Sequence, residues 1–257
     1  FRDNYKSIAE LSAKELRLGG LRIDPKTNIG SRVTYYNNVK IRNLKNQKSE
    51  ITQVKGLPKN PKLSNISWSP DQKRIALTNT TETGVELWVL ELENGSVTKL
   101  TESNLNSNIG SVINWFSDSE NMLVKMISNN RRPLIDTNKI VPDGPTISTN
   151  FGEKAQNRTY QDLLKNKFDE HNFEQLSTST IYKVSIDGSV KKWMDDGMYR
   201  TISFSPNGEY VMISQINKPF SYLVTYSRFP TETNIYNKDG DFVSNLHKVP
   251  LIEELPK

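Results

Sequence analysis

Four arginines, Arg131, Arg132, Arg158 and Arg228, stand beside or near Pro, Tyr or Phe in stretches without strand periodicity. A guanidinium is a rigid fork of donors matched to a carboxylate. The simpler use of each is a backbone carbonyl or a local acid. Two histidines, His171 and His247, are the whole imidazole inventory, and neither adjoins a Ser/Asp pair. Both read as surface residues. No G-x-S-x-G, H-E-x-x-H or G-x-x-x-x-G-K-[ST] occurs, so the chain holds no nucleophile elbow, zincin helix or phosphate loop. Asn237-Lys238-Asp239-Gly240-Asp241 imitates the start of a calcium loop but lacks its downstream Glu, and reads as a hairpin turn. Asp195-Asp196 reads as a solvated turn between units, and Asp169, Glu170 and Glu174 as a solvated helix end or loop. These features point to no catalytic residue, metal ligand or cofactor.

What must position such side chains is a repeat. N-I-S-W-S-P-D-Q-K-R-I-A-L-T at 65–78 reads as strand, tight turn, strand. The phrase returns at 112 as V-I-N-W-F-S-D-S-E-N-M-L-V-K-M and at 201 as T-I-S-F-S-P-N-G-E-Y-V-M-I-S. Trp68 and Trp115 are about one β-propeller blade apart, and Trp115 and Phe204 about two. The extra length lies in residues 129–175, an insertion with a short helix expected at 160–167, bearing Leu163, Leu164 and Phe168 on one face. Strands expected at 189–194 and 201–204 flank the Asp195-Asp196 turn. The four tryptophans, Trp68, Trp88, Trp115 and Trp193, fall at strand positions and are expected in the core.

The fold expected is all-β: a β-propeller of about four four-stranded blades, part of a larger, seven-bladed ring, with a short helical insertion. Residues 1–15 form a helical lead-in and 16–257 a partial propeller. Its blades are expected at about 16–56, 62–102, 109–194 and 199–247, the first degenerate.

Composition narrows the function classes. The 257 residues carry 34 basic and 29 acidic side chains, a net charge of +5 without a basic patch or an aromatic-plus-basic signature. Nucleic acid is therefore not an expected partner. Without cysteine, disulfides and thiol chemistry are excluded. No apolar run approaches the roughly 18 residues of a membrane span. The chain opens on Phe1 rather than Met and is expected to be an internal piece of a longer protein.

Longer stretches carry a resemblance. R-T-Y-Q-D-L-L-K-N-K-F-D-E-H-N-F-E at 158–174, preceded by V-P-D-G-P, is similar to the N-terminal propeller of prolyl-oligopeptidase-type (S9) serine peptidases, on the glutamyl endopeptidase branch. So are I-N-K-P-F-S-Y-L-V-T-Y-S-R-F-P at 216–230, N-L-H-K-V-P-L-I-E-E-L-P at 245–256 and L-R-L-G-G-L-R-I-D-P at 16–25. The sequence departs from the family at His247-Lys248, where an acidic residue usually precedes the P-L-x-E phrase. The family continues with further blades and an α/β-hydrolase domain bearing Ser, Asp and His. The resemblance implies a propeller that covers that domain's active site, gates access and helps bind a peptide substrate. Arg158, Arg228 and Arg132 are the residues it nominates for contact with a substrate glutamate. The partners it implies are a peptide and the C-terminal hydrolase domain, and in a bacterium a periplasmic or secreted location.

A TolB-like propeller acting as a protein-interaction scaffold is the other reading, since its blades use the same aromatic-S-P-D-G phrase. The insertion at 129–175, which a plain scaffold does not need, separates the two. A closed four-bladed sugar-binding propeller is a third reading, and would want several tryptophans on one rim.

Overall fold

The repeated phrase folds the same way three times. Ser69 Oγ donates to Asp71 Oδ1 at 2.6 Å, and the Lys73 N–H donates to the same oxygen at 3.0 Å. In the last copy Ser205 Oγ and the Glu209 N–H meet Asn207 Oδ1 at 2.7 and 3.2 Å. In the middle copy Asp118 accepts the N–H groups of Glu120 and Asn121, both at 2.9 Å. Each turn places one residue in the left-handed region: Gln72 at φ 60, Ser119 at φ 60 and Gly208 at φ 74. The Asp or Asn side chain mimics a backbone turn and makes that conformation tolerable.

The computed structural model describes residues 8–42, 50–136, 139 and 160–254. Within the lead-in, the described helix is α1 (Ile8–Leu11). Next, β1 (Leu16–Leu18), β2 (Leu21–Asp24) and β3 (Ile29–Gly30) make a three-stranded antiparallel sheet, and β4 (Lys40–Ile41) pairs with β5 (Thr52–Gln53). Residues 16–56, expected as a degenerate blade, thus form two small sheets among the described residues. Strands β6 (Leu63–Trp68), β7 (Arg74–Thr80), β8 (Val85–Glu91) and β9 (Val97–Lys99) then form a four-stranded antiparallel sheet in sequence order. This is a β-propeller blade.

Two further blades are joined by one strand. Strands β10 (Ile113–Trp115), β11 (Asn121–Ile127), β12 (Ser179–Ser185), β13 (Val190–Phe204), β14 (Tyr210–Ile216), β15 (Thr231–Asn237) and β16 (Phe242–Val249) pair consecutively. The first part of β13 pairs with β12 and its second part with β14. The turn expected at Asp195-Asp196 is absent; the chain runs through it as strand. Asp196 is occupied instead by Ser128 Oγ at 2.6 Å, by Asn130 Nδ2 at 2.9 Å and by Thr180 Oγ1. Its neighbours supply the donors that water would supply in a turn. The N-K-D-G-D segment is the β15–β16 turn, with Asn237 Oδ1 accepting the Asp239 and Asp241 N–H groups at 3.0 and 2.9 Å.

Apolar faces join the blades. Ala76, Leu87 and Val89 pack against Ile113, Trp115, Met122 and Val124. Leu123 and Ile181 pack against Tyr199, Ile202, Val211 and Ile213. In register, Ala76–Val89 corresponds to Leu123–Lys183 and to Met212–Ile235. The third pair faces no further blade among the described residues, and Met212 is 37% exposed. At the other end Trp68 is 57% exposed, whereas its counterpart Trp115 is 8% exposed. The expectation that the tryptophans lie in the core therefore fails for Trp68, which no blade covers among the described residues.

Candidate functional site

The loops between second and third strands gather on one face. They comprise residues 81–84, the described parts of the insertion after β11 (128–136 and 160–178), and 217–230. The insertion's helix, α2 (Lys167–Ser177), starts where the sequence-expected helix ends. Asn166 explains the difference: its Oδ1 accepts the Asp169 N–H at 2.9 Å, a helix N-cap. Asp169 and Glu170 then fall in the first turn, where the helix dipole favours acids. Residues 160–166 are irregular, with Asp162 at φ 59.

α2 is stitched to the chain leaving β11. Asn172 donates from Nδ2 to Ile135 O and accepts from the Ile135 N–H through Oδ1, both at 2.8 Å. Gln175 Oε1 accepts the Arg132 N–H at 2.7 Å, and His171 Nε2 lies 2.9 Å from Pro133 O. Beneath the helix, Phe173 packs edge-on against Phe220 and Phe229, with ring centroids 5.1 and 5.5 Å away. Leu18, Ile23, Leu164, Leu176 and Val224 belong to the same core.

The β1–β3 sheet lies across the same face as a strap. Gly20 N–H donates to Asp162 O, and Tyr226 N–H to Gly19 O, both at 2.8 Å. Arg22 Nε donates to Asp162 Oδ2 at 2.7 Å, and Arg131 Nη1 to Asn28 Oδ1 at 2.6 Å. Gly20 needs to be glycine on two counts: its φ is +90, and a Cβ there would stand 2.7 Å from Thr225 Cγ2.

The three nominated arginines have separate settings. Arg158 lies outside the described residues. Arg228 is half-buried and donates from Nε to Tyr160 Oη at 3.1 Å. Arg132 reaches Glu174 Oε2 from Nη2 at 3.8 Å. Lys218, which the sequence reading did not single out, meets the other oxygen, Glu174 Oε1, at 2.8 Å. Its ammonium also lies 5.7 Å from the Phe220 ring centroid. Two cations from two loops thus share one carboxylate. The side chains of Arg132 and Lys218 are 65% and 58% exposed and that of Glu174 27%, so each pair is worth about 0–1 kcal/mol. One turn earlier, partial burial works to raise the Glu170 carboxyl. Hydrogen bonds from Lys167 and Tyr222 outweigh it and hold that group below its ordinary value.

Among the described residues no group of three His, Asp or Glu is placed to hold a metal ion, and no helix is long and apolar enough to cross a membrane. What the face offers is exposed positive charge, Arg132 and Lys218, with Lys218 over the Phe220 ring.

No family model matches the chain. Curated proteins do. "Probable glutamyl endopeptidase, chloroplastic" of Oryza sativa subsp. japonica is 30% identical over 97% of this chain and 28% of its own length. The protein of the same name in Arabidopsis thaliana is 31% identical over 97% of this chain and 27% of its own. The chain therefore spans little more than a quarter of these relatives. Among solved structures, an acylaminoacyl peptidase of Pyrococcus horikoshii has a TM-score of 0.46 at 15% identity, over 94% of this chain and 32% of that one. A putative TolB from Agrobacterium tumefaciens has a TM-score of 0.43 at 14% identity, over 90% of this chain and 75% of that one. These likenesses bear on the fold alone. The sequence matches are longer: over 97% of its length the chain is similar to these two proteins named probable glutamyl endopeptidase, which fits the N-terminal propeller region of an S9-type peptidase.

Proposed function

We propose that this chain is the part of a serine peptidase that gates and helps bind peptide substrates, for a hydrolase domain that it does not itself contain. The observation that carries the proposal is the match over 97% of the chain to proteins named glutamyl endopeptidase. The chemistry of such a hydrolase is a Ser nucleophile activated by His and oriented by Asp, which must come from the other domain. The propeller's share is exclusion of folded proteins and electrostatic contact with the peptide. The loop face supports that role because two of its cations, Arg132 and Lys218, are exposed. Their backbone is fixed by α2 and by the Phe173 core beneath it.

Arg158, Arg228 and Arg132 are the proposed contacts to a glutamate side chain. An arginine that reads this carboxylate stabilises Glu substrates over Gln analogues. The test is to replace each by Ala in the full-length protein and measure KM for matched Glu and Gln peptides. A reader residue raises KM for the Glu peptide alone. A residue whose replacement moves both KM values equally, or neither, is not a reader.

A further inference from the structure

We infer that Arg132 and Lys218 form a seat for the carboxylate of an acidic peptide, and that Glu174 is the seat's internal, exchangeable occupant. The inference rests on the reading of this chain as a peptide-binding gate, and deepens it by naming the seat and what fills it between substrates.

The geometry makes the case. Arg132 comes from the segment after β11 and Lys218 from the loop after β14, yet both converge on Glu174, one on each oxygen. A carboxylate therefore fits between them. The fit is loose on the arginine side, where 3.8 Å separates Nη2 from Oε2. That leaves the guanidinium fork without the paired, parallel hydrogen bonds a carboxylate can give it. Glu170, one turn earlier, also feels Lys218 but is paired with Lys167, so three cations face two carboxylates and leave the spot locally positive. Both cationic side chains are more than half exposed, so an incoming acid reaches them without rearranging the core.

The mountings hold the seat open while the occupant changes. The Arg132 backbone stays tied to Gln175 Oε1, and Lys218 keeps Phe220 beneath it. Among the described residues the Glu174 carboxylate is held by these two pairs, whose cations are exposed and whose bonds are cheap to break. An acidic side chain that engages the fork squarely gains what Glu174 does not have. A neutral glutamine offers neither the charge nor a second oxygen, so the seat discriminates between the two.

Binding to the 257-residue chain is the direct test, read by fluorescence anisotropy without any catalysis. The probes are a labelled pentapeptide with one central Glu and its Gln counterpart. The Glu peptide is expected to bind about tenfold more tightly. Glu174→Gln, which leaves the seat without its own acid, should tighten Glu-peptide binding by about fivefold more. Arg132→Ala should reduce the Glu/Gln ratio to near one, as should Lys218→Met, which keeps an apolar stem over Phe220. Equal affinities for the two peptides, or no change in Glu174→Gln, would overturn the seat. Because no hydrolysis is read, a parent protein without peptidase activity defeats the proposed function and not this inference. A parent that cleaves after Glu while the chain binds both peptides equally defeats the seat alone.

Discussion

Arg22 Nε and Asp162 Oδ2 stand 2.7 Å apart across the boundary between the β1–β3 strap and the insertion. Asp162 also receives Arg17 Nη1 at 3.8 Å, while its backbone carbonyl accepts the Gly20 N–H. One residue thereby ties the start of the chain to a loop of the second blade. Asp162→Ala is expected to lower the melting temperature by roughly 2–4 °C. It should also expose the strap to limited proteolysis near residues 19–22. An unchanged melt and an unchanged cleavage pattern would show that the Leu18–Ile23 packing alone holds the strap.

The glycine of that strap gives a sharper test. Gly20→Ala adds a methyl facing Thr225 at a left-handed φ, and is expected to cost about 1–3 kcal/mol. Gly188 is the control: it has φ +87 but nothing within 4 Å of an added Cβ. Denaturant melts of Gly188→Ala and Gly20→Ala should differ by the steric part. Equal losses would mean that backbone strain accounts for both.

Lys125 is 2% exposed and its Nζ donates to the Ile109 carbonyl, with burial pushing its pKa down to about 7. The folded state therefore binds its proton less readily than the unfolded chain does, for which the ordinary value is 10.5. Between these pH values the unfolded state holds more protons, so stability rises with pH through that window and is flat on either side. Lys125→Met should stabilise the protein at neutral pH, on the order of 3 kcal/mol, and flatten the rise. Denaturant titrations at pH 7 and pH 10 measure both effects. A Lys125→Met variant with the native slope would assign the rise to other groups.

Met212, Tyr210 and Ile235 lie on the blade face that has no following blade among the described residues. The equivalent faces of the first two blades are buried. The isolated chain is expected to self-associate through this apolar sheet face, and Met212→Glu should lower its weight-average mass in sedimentation at equal concentration. A monomer at every concentration in the native chain would contradict that expectation.

The blades were legible in the sequence because their information is local. An aromatic, an Asx turn and an apolar run recur within a few residues, and each copy folds as its letters suggest. The helix was displaced because Leu163 and Leu164 advertise a helical face, whereas the Asn166 cap decides where the helix begins. Asp195-Asp196 read as a turn because two adjacent acids usually seek water. Only Ser128, Asn130 and Thr180, distant in sequence, make a strand possible there. Lys218 was invisible as a site residue for the same reason. Its role depends on Arg132 and Glu174, which only the folded chain brings to it.

The proposed function ties this propeller to a glutamate-directed serine peptidase. The measurement that tests it most directly is hydrolysis by the longer protein that contains this region. Matched peptides with Glu, Gln or Pro at the scissile position would be assayed with and without a serine-directed phosphonate. The expected result is cleavage after Glu, abolished by the phosphonate. Intact peptides, from a protein whose remaining length holds only more blades, would contradict it and leave a binding scaffold.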